Sequence, residues 1–485
     1  MKHIKFGLLA AGGVAVSVFA LQAAAPVSSG SICTPINPNK ATPFLDNNGC
    51  KPPPGSLTFN LSSKWPSKAP GPVGAAPWRQ AIGNGKITVA NAAAYAAALK
   101  AAVTPNARKL IMDQQNWNAA DAGWYNEPWV GSQREAISGT YPAGEFGPSI
   151  FPGTGLTTTF DTHVLTYYDS RAANTLFRVW NASAMKPTVN PSSGQFAEGA
   201  IVVKAAVFAP TDRTMAPGWW DAMKGAQIWN LYLPNYDQQA SATGPWVVGQ
   251  GYVAQFDIIV KDTASAPQTG WVYMTLVYDK DAPGRDVWDK MVPLGVQWGN
   301  DPQATSPSIP LRENWINPKA PKYSTQTLGW GGRLSGPNDG ATNAITFNGK
   351  AYDNYPNSGC LSCHSTAEWS NASQSMPVFL LPTTSGSSNP AICNKSGQPD
   401  PNGAYICSPA PGTAAWMQWF KNRPGNVPMT PGTVAMDFDE VFSFKSLRLW
   451  RIATTPQQEA VHPMLARVPN ARRYNLYNGS PVKPR

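Results

Sequence analysis

The sequence is poor in charged residues and in histidine, and its charges do not form runs of one sign. Charged side chains make up 14% of the 485 residues, and the net charge of +10 is dispersed. No run of five or six like charges occurs, so the basic arm typical of many nucleic-acid-binding proteins is missing. The chain has four histidines and no Walker, H-E-x-x-H or G-x-S-x-G motif. The sequence therefore predicts no nucleic-acid partner and none of the enzyme classes that these motifs mark.

Long apolar stretches are missing after the first 25 residues. Residues 1–25 combine a basic start, a short apolar run and a small-residue end, which is typical of a secretory signal peptide. The run is short for a membrane span and no charged stop-transfer flank follows it, although an uncleaved anchor is the alternative. We expect cleavage between Gln22 and Ala25, and a periplasmic or secreted bacterial protein without a membrane span after cleavage.

Only six cysteines are present, and four of them fall into two neighbouring pairs, Cys33 with Cys50 and Cys393 with Cys407. In an oxidising compartment this spacing predicts two local disulfides, although other pairings remain open. Each disulfide would close a loop of about 15 residues and stabilise the fold by about 3 kcal/mol in the chain-entropy model.

The other two cysteines belong to the stretch Cys360-Leu361-Ser362-Cys363-His364, which has C-x-x-C-H spacing. Two cysteines at this spacing add to the vinyl groups of a porphyrin, and the adjacent imidazole binds the iron as proximal ligand. A thioredoxin-like dithiol would need a βαβ pattern, and a zinc site would need a second ligand pair; neither accompanies the motif. The sequence predicts one covalent haem c. Because the motif occurs once, a cytochrome that carries electrons along several haems is excluded.

The chain divides into a signal peptide (1–25), a Pro/Gly-rich arm with helices (26–150), a β-rich domain (151–325) and a haem-binding region (326–485). Several short segments of the third part are rich in Val, Ile, Tyr and Trp and are separated by turn residues. This pattern favours an antiparallel sandwich or barrel over a doubly wound parallel sheet. The predicted class is α+β, with a small, mostly helical and loop-rich region around the haem.

The sequence makes six predictions about single elements. A helix begins after Thr88 and ends at Thr104-Pro105, and a strand covers 174–183. The chain leaves the sheet for a long loop at 294–302, and a short helix follows the motif at 365–370. Further helices cover 413–422 and 439–451.

The glycine-rich stretch 329–340 does not lead from a strand into a helix, so it is a weak candidate for a phosphate site. It favours tight turns near the haem instead. Arg333 within it either pairs with a haem propionate or holds the loop.

A haem that transfers electrons usually has a second axial ligand, Met or His. Among the histidines, His163 lies in a strand pattern and His462 near a polar tail. The methionines after the motif are Met376, Met417, Met429, Met436 and Met464. We predict Met429 as the distal ligand, because prolines on both sides stiffen the loop that presents it.

Four blocks carry a family resemblance: TGWVYMTLVYD (269–279), LGVQWGNDP (294–302), LGWGGRLSGPND (328–339) and SGCLSCHSTAE (358–368). In these blocks, and in their order, the chain resembles a bacterial family of exported, single-haem c-type cytochrome proteins. The resemblance implies haem attachment and export, but neither a reaction nor a distal ligand.

The predicted function is electron transfer between this haem and a redox partner protein. The first alternative is a haem-dependent oxidoreductase with an open iron position and a substrate site in the β-rich domain. A haem-based sensor is a further alternative.

Overall fold

The computed structural model describes residues 43–44, 51–130, 134–146, 151, 160–209, 217–234, 246–338, 342–347, 350–382, 384–387 and 405–454. The predicted signal peptide lies outside these residues, as do Cys33, Cys50, Cys393, His462 and Met464. Export and both disulfides therefore stay predictions.

A nine-stranded antiparallel sheet is the largest element of the described residues. The strands are β1 Trp124–Tyr125, β2 Tyr141–Phe146, β3 Phe160–Asp169, β4 Ile201–Ala209, β5 Ile228–Pro234, β6 Trp246–Lys261, β7 Trp271–Tyr278, β8 Met291–Gln297 and β9 Asn314–Ile316. Their order in the sheet is β1-β3-β4-β6-β7-β8-β9, with β2 also paired to β3 and β5 to β6. The predicted α+β class with a large antiparallel sheet is confirmed. Within the described strands the sheet stays open and does not close into a barrel.

Three two-stranded ribbons and several short helices follow or flank this sheet. The ribbons pair β10 Thr342–Phe347 with β11 Lys350–Pro356, β12 Glu368–Trp369 with β15 Val434–Ala435, and β13 Thr384–Ser387 with β14 Tyr405–Cys407. The α-helices are α1 Pro77–Gln80, α2 Ala92–Met112, α3 Ser170–Trp180, α4 Pro217–Ala222, α5 Lys322–Thr325, α6 Cys360–His364 and α7 Leu447–Thr454. The 3-10 turns are Gln114–Asn116, Trp330–Gly332 and Trp416–Gln418, and a π-helical turn spans Val441–Ser446. Across the described ranges, no helix has the length and apolarity that a bilayer crossing requires.

The two faces of the sheet have different roles, because side chains alternate along each strand. One face packs against α2 and forms the largest apolar core, to which Val203, Ala205 and Met274 belong. The opposite face presents Lys204 and Asp257, which are register partners on β4 and β6. This second face carries the site described below.

Helix α2 continues through Pro105, so the predicted stop at Thr104-Pro105 is wrong. A proline inside a helix costs about 3 kcal/mol through the lost hydrogen bond and its ring. The helix buries Leu99, Val103, Leu110 and Ile111 on the sheet. Each such side chain contributes roughly 1.5–3 kcal/mol when buried, which outweighs the cost of the proline.

The segment predicted as a strand at 174–183 is mostly helix α3. Its buried apolar residues recur with helical spacing, and the Asp169 carboxylate caps the helix by accepting the Ala172 N–H at 2.8 Å. The aromatic and β-branched content of the segment favoured a strand, but burial of one helical face decided the outcome.

The other four local predictions have mixed outcomes. The sheet includes β8 through Gln297, so the chain leaves it later than predicted. The stretch after the motif forms strand β12, and 413–422 contains only a 3-10 turn. The helix predicted at 439–451 is present as the π-helical turn followed by α7.

The segment around the motif shares a core with the sheet. Leu361 of α6, Phe442 and Leu447 lie in one apolar cluster with Tyr168 and Ile259 of the strands. The predicted β-rich domain and the predicted haem-binding region, which meet at residue 326, therefore share this apolar core.

Candidate functional site

The C-x-x-C-H motif forms the short helix α6, which is fastened to the end of β8 and to the glycine-rich stretch. The Leu361 N–H donates to Oε1 of Gln297 at 3.0 Å, and the Cys360 N–H donates to the Leu334 carbonyl at 2.8 Å. The Leu361 side chain is fully buried, whereas Cys360, Cys363 and His364 are half-buried. Burial of Leu361 fixes the helix and leaves the three chemically active side chains at a cavity wall.

The glycine-rich stretch makes the tight turns that the sequence predicts. Gly331 and Gly332 have φ of 66° and 83°, values in the region that favours glycine. At Gly329 a Cβ would collide with the Ser358 carbonyl, so only glycine lets the two segments pass. The Trp330 N–H donates to that carbonyl at 2.8 Å. This contact brings the stretch directly against the start of the motif.

The His364 ring is oriented by a backbone carbonyl. Its Nδ1 lies 2.9 Å from the Phe438 carbonyl oxygen. A carbonyl only accepts hydrogen bonds, so Nδ1 carries the proton and the neutral imidazole has its lone pair on Nε2. The Tyr273 hydroxyl donates to the same carbonyl at 3.1 Å, and its ring centre lies 4.8 Å from that of His364.

An unusual turn aims the Phe438 carbonyl at His364. Both Asp437 and Phe438 have positive φ, 47° and 67°, which is rare for residues other than glycine. The buried Asp437 carboxylate fixes the turn by accepting hydrogen bonds from Lys261 Nζ at 2.6 Å, Trp271 Nε1 at 2.7 Å and the Phe196 N–H at 2.7 Å. These contacts stabilise a backbone conformation that would otherwise be costly.

Cys360, Cys363 and His364 line one wall of a cleft on the second face of the sheet. The cleft encloses about 1040 Å³ of space free of protein atoms, including its open mouth. Its apolar lining residues include Val164, Ile259, Leu380, Leu381, Val441 and Phe444. Apolar side chains thus form much of the lining, as in many small-molecule and cofactor sites.

A row of polar side chains crosses the floor of the cleft. Thr166, Lys204, Asp257 and Thr275 are successive register partners on β3, β4, β6 and β7. The Asp257 carboxylate lies 2.8 Å from Lys204 Nζ and accepts hydrogen bonds from Thr275 Oγ1 at 2.8 Å and Gln255 Nε2 at 2.9 Å. The floor therefore holds a hydrogen-bonded ion pair in partly desolvated surroundings.

Carboxyl groups lie close behind the cleft wall that carries the histidine. Burial raises the pKa of Asp439 to about 6 and also raises the pKa of Glu440 well above its usual range. Glu440 lines the cleft and accepts a hydrogen bond from Thr366 Oγ1 at 2.9 Å.

The structure does not bring the predicted distal ligand to this cleft. Met429 packs against a separate aromatic cluster that includes Trp330 and Trp416, and Met417 lies in the same cluster. Met436 is buried next to Gly194. Neither these methionines nor Met376 belongs to the described residues that line the cleft. His163 is buried within β3 and does not line it either.

Arg333 holds the loop, which was the second of its two predicted roles. Its guanidinium donates to four backbone carbonyls, those of Asn300, Trp330, Asp301 and Ala304, at 2.9–3.2 Å. The side chain is fully buried, and burial lowers its pKa to about 10. Because its donors are directed at carbonyls, it is not placed to receive a propionate.

Several residues that shape the cleft around the motif were not predicted from the sequence. Tyr273 lies in one of the blocks that carry the resemblance, and a single lysine within the apolar strand β4 signals a buried partner for Lys204. The Phe438 carbonyl has no sequence signal, because any residue has a carbonyl.

Comparisons with protein-family models, with curated proteins and with solved structures gave no match. The family resemblance therefore stays a prediction from the sequence. Within the described ranges, no group of three or more His, Cys, Asp or Glu side chains is arranged to hold a metal ion. A c-type haem instead takes a single imidazole from the motif.

Proposed function

We propose that this chain is an exported c-type haem protein that exchanges electrons with a redox partner protein. Cys360 and Cys363 would hold the haem through thioether bonds, and His364 would bind its iron from the proximal side. The haem would supply one-electron chemistry at the iron. The observation that carries the proposal is the 2.9 Å contact between His364 Nδ1 and the Phe438 carbonyl.

That contact matters because a ligating histidine usually donates its second ring N–H to a carbonyl or carboxylate. Such a hydrogen bond selects the tautomer, orients the ring and raises the basicity of the ligating nitrogen. Here the turn at Asp437-Phe438 provides the acceptor, and the carboxylate contacts of Asp437 hold the turn in place. This arrangement leaves Nε2 of His364 as the nitrogen that would bind the haem iron.

The donor set and the cleft also fit the predicted group. Both thiols and the imidazole lie on one wall, and apolar side chains form much of the remaining surface. The predicted export agrees with covalent attachment and with a partner protein outside the cytoplasm. Dispersed positive charge suits docking on an acidic partner surface.

Two observations favour a second function, that of a haem-dependent oxidoreductase. Charged side chains, Lys204, Asp257 and Lys445, line the cleft, whereas the predicted methionine ligand packs elsewhere. An iron without a strong distal ligand can bind a substrate or a gas.

Carbon monoxide binding distinguishes the two functions. A six-coordinate, low-spin spectrum in both oxidation states, with slow carbon monoxide binding to the ferrous protein, supports electron transfer. Rapid binding with a five-coordinate ferrous spectrum supports the oxidoreductase. A purified, correctly folded protein without any haem would refute both.

A further inference from the structure

Two lysine side chains lie at the end of the cleft formed by β2, β3 and β4. Lys445 Nζ lies 5.8 Å from the centre of the Tyr141 ring, and the Tyr141 hydroxyl is 2.9 Å from the Thr166 hydroxyl. Thr166 in turn is the register partner of Lys204 on β4. These four side chains line the cleft, and we call them the lysine wall.

Helix α6 and the lysine wall are attached to different strands of the sheet. Helix α6 is fastened to β8 through Gln297, whereas the lysine wall begins at β4. Three strand-to-strand steps separate β8 from β4 in the sheet. Neighbouring strands lie about 4.8 Å apart, so the backbones of β8 and β4 are roughly 14 Å apart. A porphyrin held by its vinyl edge at the cysteines carries its two propionates on the opposite edge.

The charges of the lysine wall favour an anion. The Lys204 ammonium is paired with Asp257, so that pair adds no net charge. Lys445 donates to the Pro142 carbonyl at 3.0 Å and adds a positive charge when protonated. Burial and the neighbouring Arg448 lower the pKa of Lys445 to about 7, because both disfavour its charged form. A carboxylate in the cleft would stabilise that form.

We propose that the lysine wall binds a carboxylate group, and that this carboxylate is a propionate of the haem. The inference rests on the proposed function. It gives to Lys445 and Lys204 the role that the sequence suggested for Arg333, whose donors the structure directs at backbone carbonyls. A small-molecule acid is the other source of the same chemical group.

The test uses the full-length holoprotein with Lys445→Met, the charge-preserving Lys445→Arg, and Lys319→Met as a matched control at an exposed lysine. Loss of the cation beside a propionate favours the ferric state. We expect Lys445→Met to lower the equilibrium constant for reduction of the haem iron at least tenfold. This corresponds to a fall of at least 59 mV in the reduction potential of a one-electron couple. The propionate bending band in the resonance Raman spectrum should shift as well. Lys445→Arg and Lys319→Met should retain the wild-type values.

A benzoate titration followed in the Soret band identifies the source of the carboxylate. No response of the wild-type protein, together with the shifts above, supports a propionate. A saturable response in the wild-type protein that Lys445→Met abolishes would overturn the propionate assignment and show a site for small acids. Unchanged potential, Raman band and benzoate response in Lys445→Met would refute the lysine wall as a carboxylate site.

Covalent haem staining of each variant keeps this result separate from the proposed function. A stained, folded Lys445→Met protein tests the lysine wall alone. An unstained wild-type protein would instead refute haem attachment.

Discussion

Replacement of Asp437 by asparagine should destabilise the protein and disturb the histidine site together. Asparagine tolerates positive φ as aspartate does, so the backbone at this position is preserved and mainly the charge is lost. The Asp437 carboxylate is almost fully buried and pairs with Lys261, whose side chain is 13% exposed. Removing one partner of a buried ion pair costs about 3–5 kcal/mol, because the other charge stays buried. We expect Asp437→Asn to lower the free energy of unfolding by an amount in this range.

Urea unfolding of the holoprotein, followed by tryptophan fluorescence, measures this loss. The double variant Asp437→Asn with Lys261→Met should lose less than Asp437→Asn alone, because it leaves no buried unpaired charge. The ferric spectrum should also change, since the Phe438 carbonyl would no longer be fixed beneath His364. A loss below about 0.5 kcal/mol with an unchanged spectrum would show that the carboxylate does not hold this turn.

Three further predictions follow from the same contacts. Met429→Ala should leave the haem spectrum and carbon monoxide binding unchanged, because Met429 packs in the aromatic cluster of Trp330; loss of a low-spin spectrum would restore it as distal ligand. The pKa of Lys445 is about 7 in the folded protein, against an ordinary value of 10.5. Between these two pH values the unfolded chain binds more protons than the folded one, so the free energy of unfolding should rise as the pH increases from 7 to 10.5. In the haem-free protein with both Cys360 and Cys363 replaced by alanine, where no propionate is present, Lys445→Met should therefore raise the free energy of unfolding most near pH 7 and least near pH 10, as measured by urea unfolding at each pH; a pH-independent difference would contradict the shift. Non-reducing peptide mapping of exported protein should find two disulfides, and free thiols at these positions would contradict them: Cys33–Cys50 and Cys393–Cys407.

Local patterns in the sequence predicted the strands well. The segments that became β3, β4, β6 and β7 are rich in β-branched and aromatic residues, and their burial in one sheet agrees with that composition. Helix α3 was missed because Leu176, Val179 and Trp180 also fit a strand by residue type. Their helical spacing after Asp169, a good N-cap, was the stronger signal.

The motif was visible because its three candidate haem-binding residues lie within five positions. The rest of the site depends on contacts between distant segments. The carbonyl that orients His364 belongs to a residue 74 positions away, and only the folded turn brings it there. The lysine wall likewise needs the register of β3 with β4 and the packing of the π-helical turn, neither of which a single sequence specifies.

The mass of the denatured, reduced protein tests the central claim most directly. We predict that the mature chain carries the mass of one haem, and that the added mass maps to the peptide containing Cys360 and Cys363. The variant with both cysteines replaced by alanine should lack it. A wild-type chain of unmodified mass, after expression with the machinery that attaches c-type haem, would contradict the account.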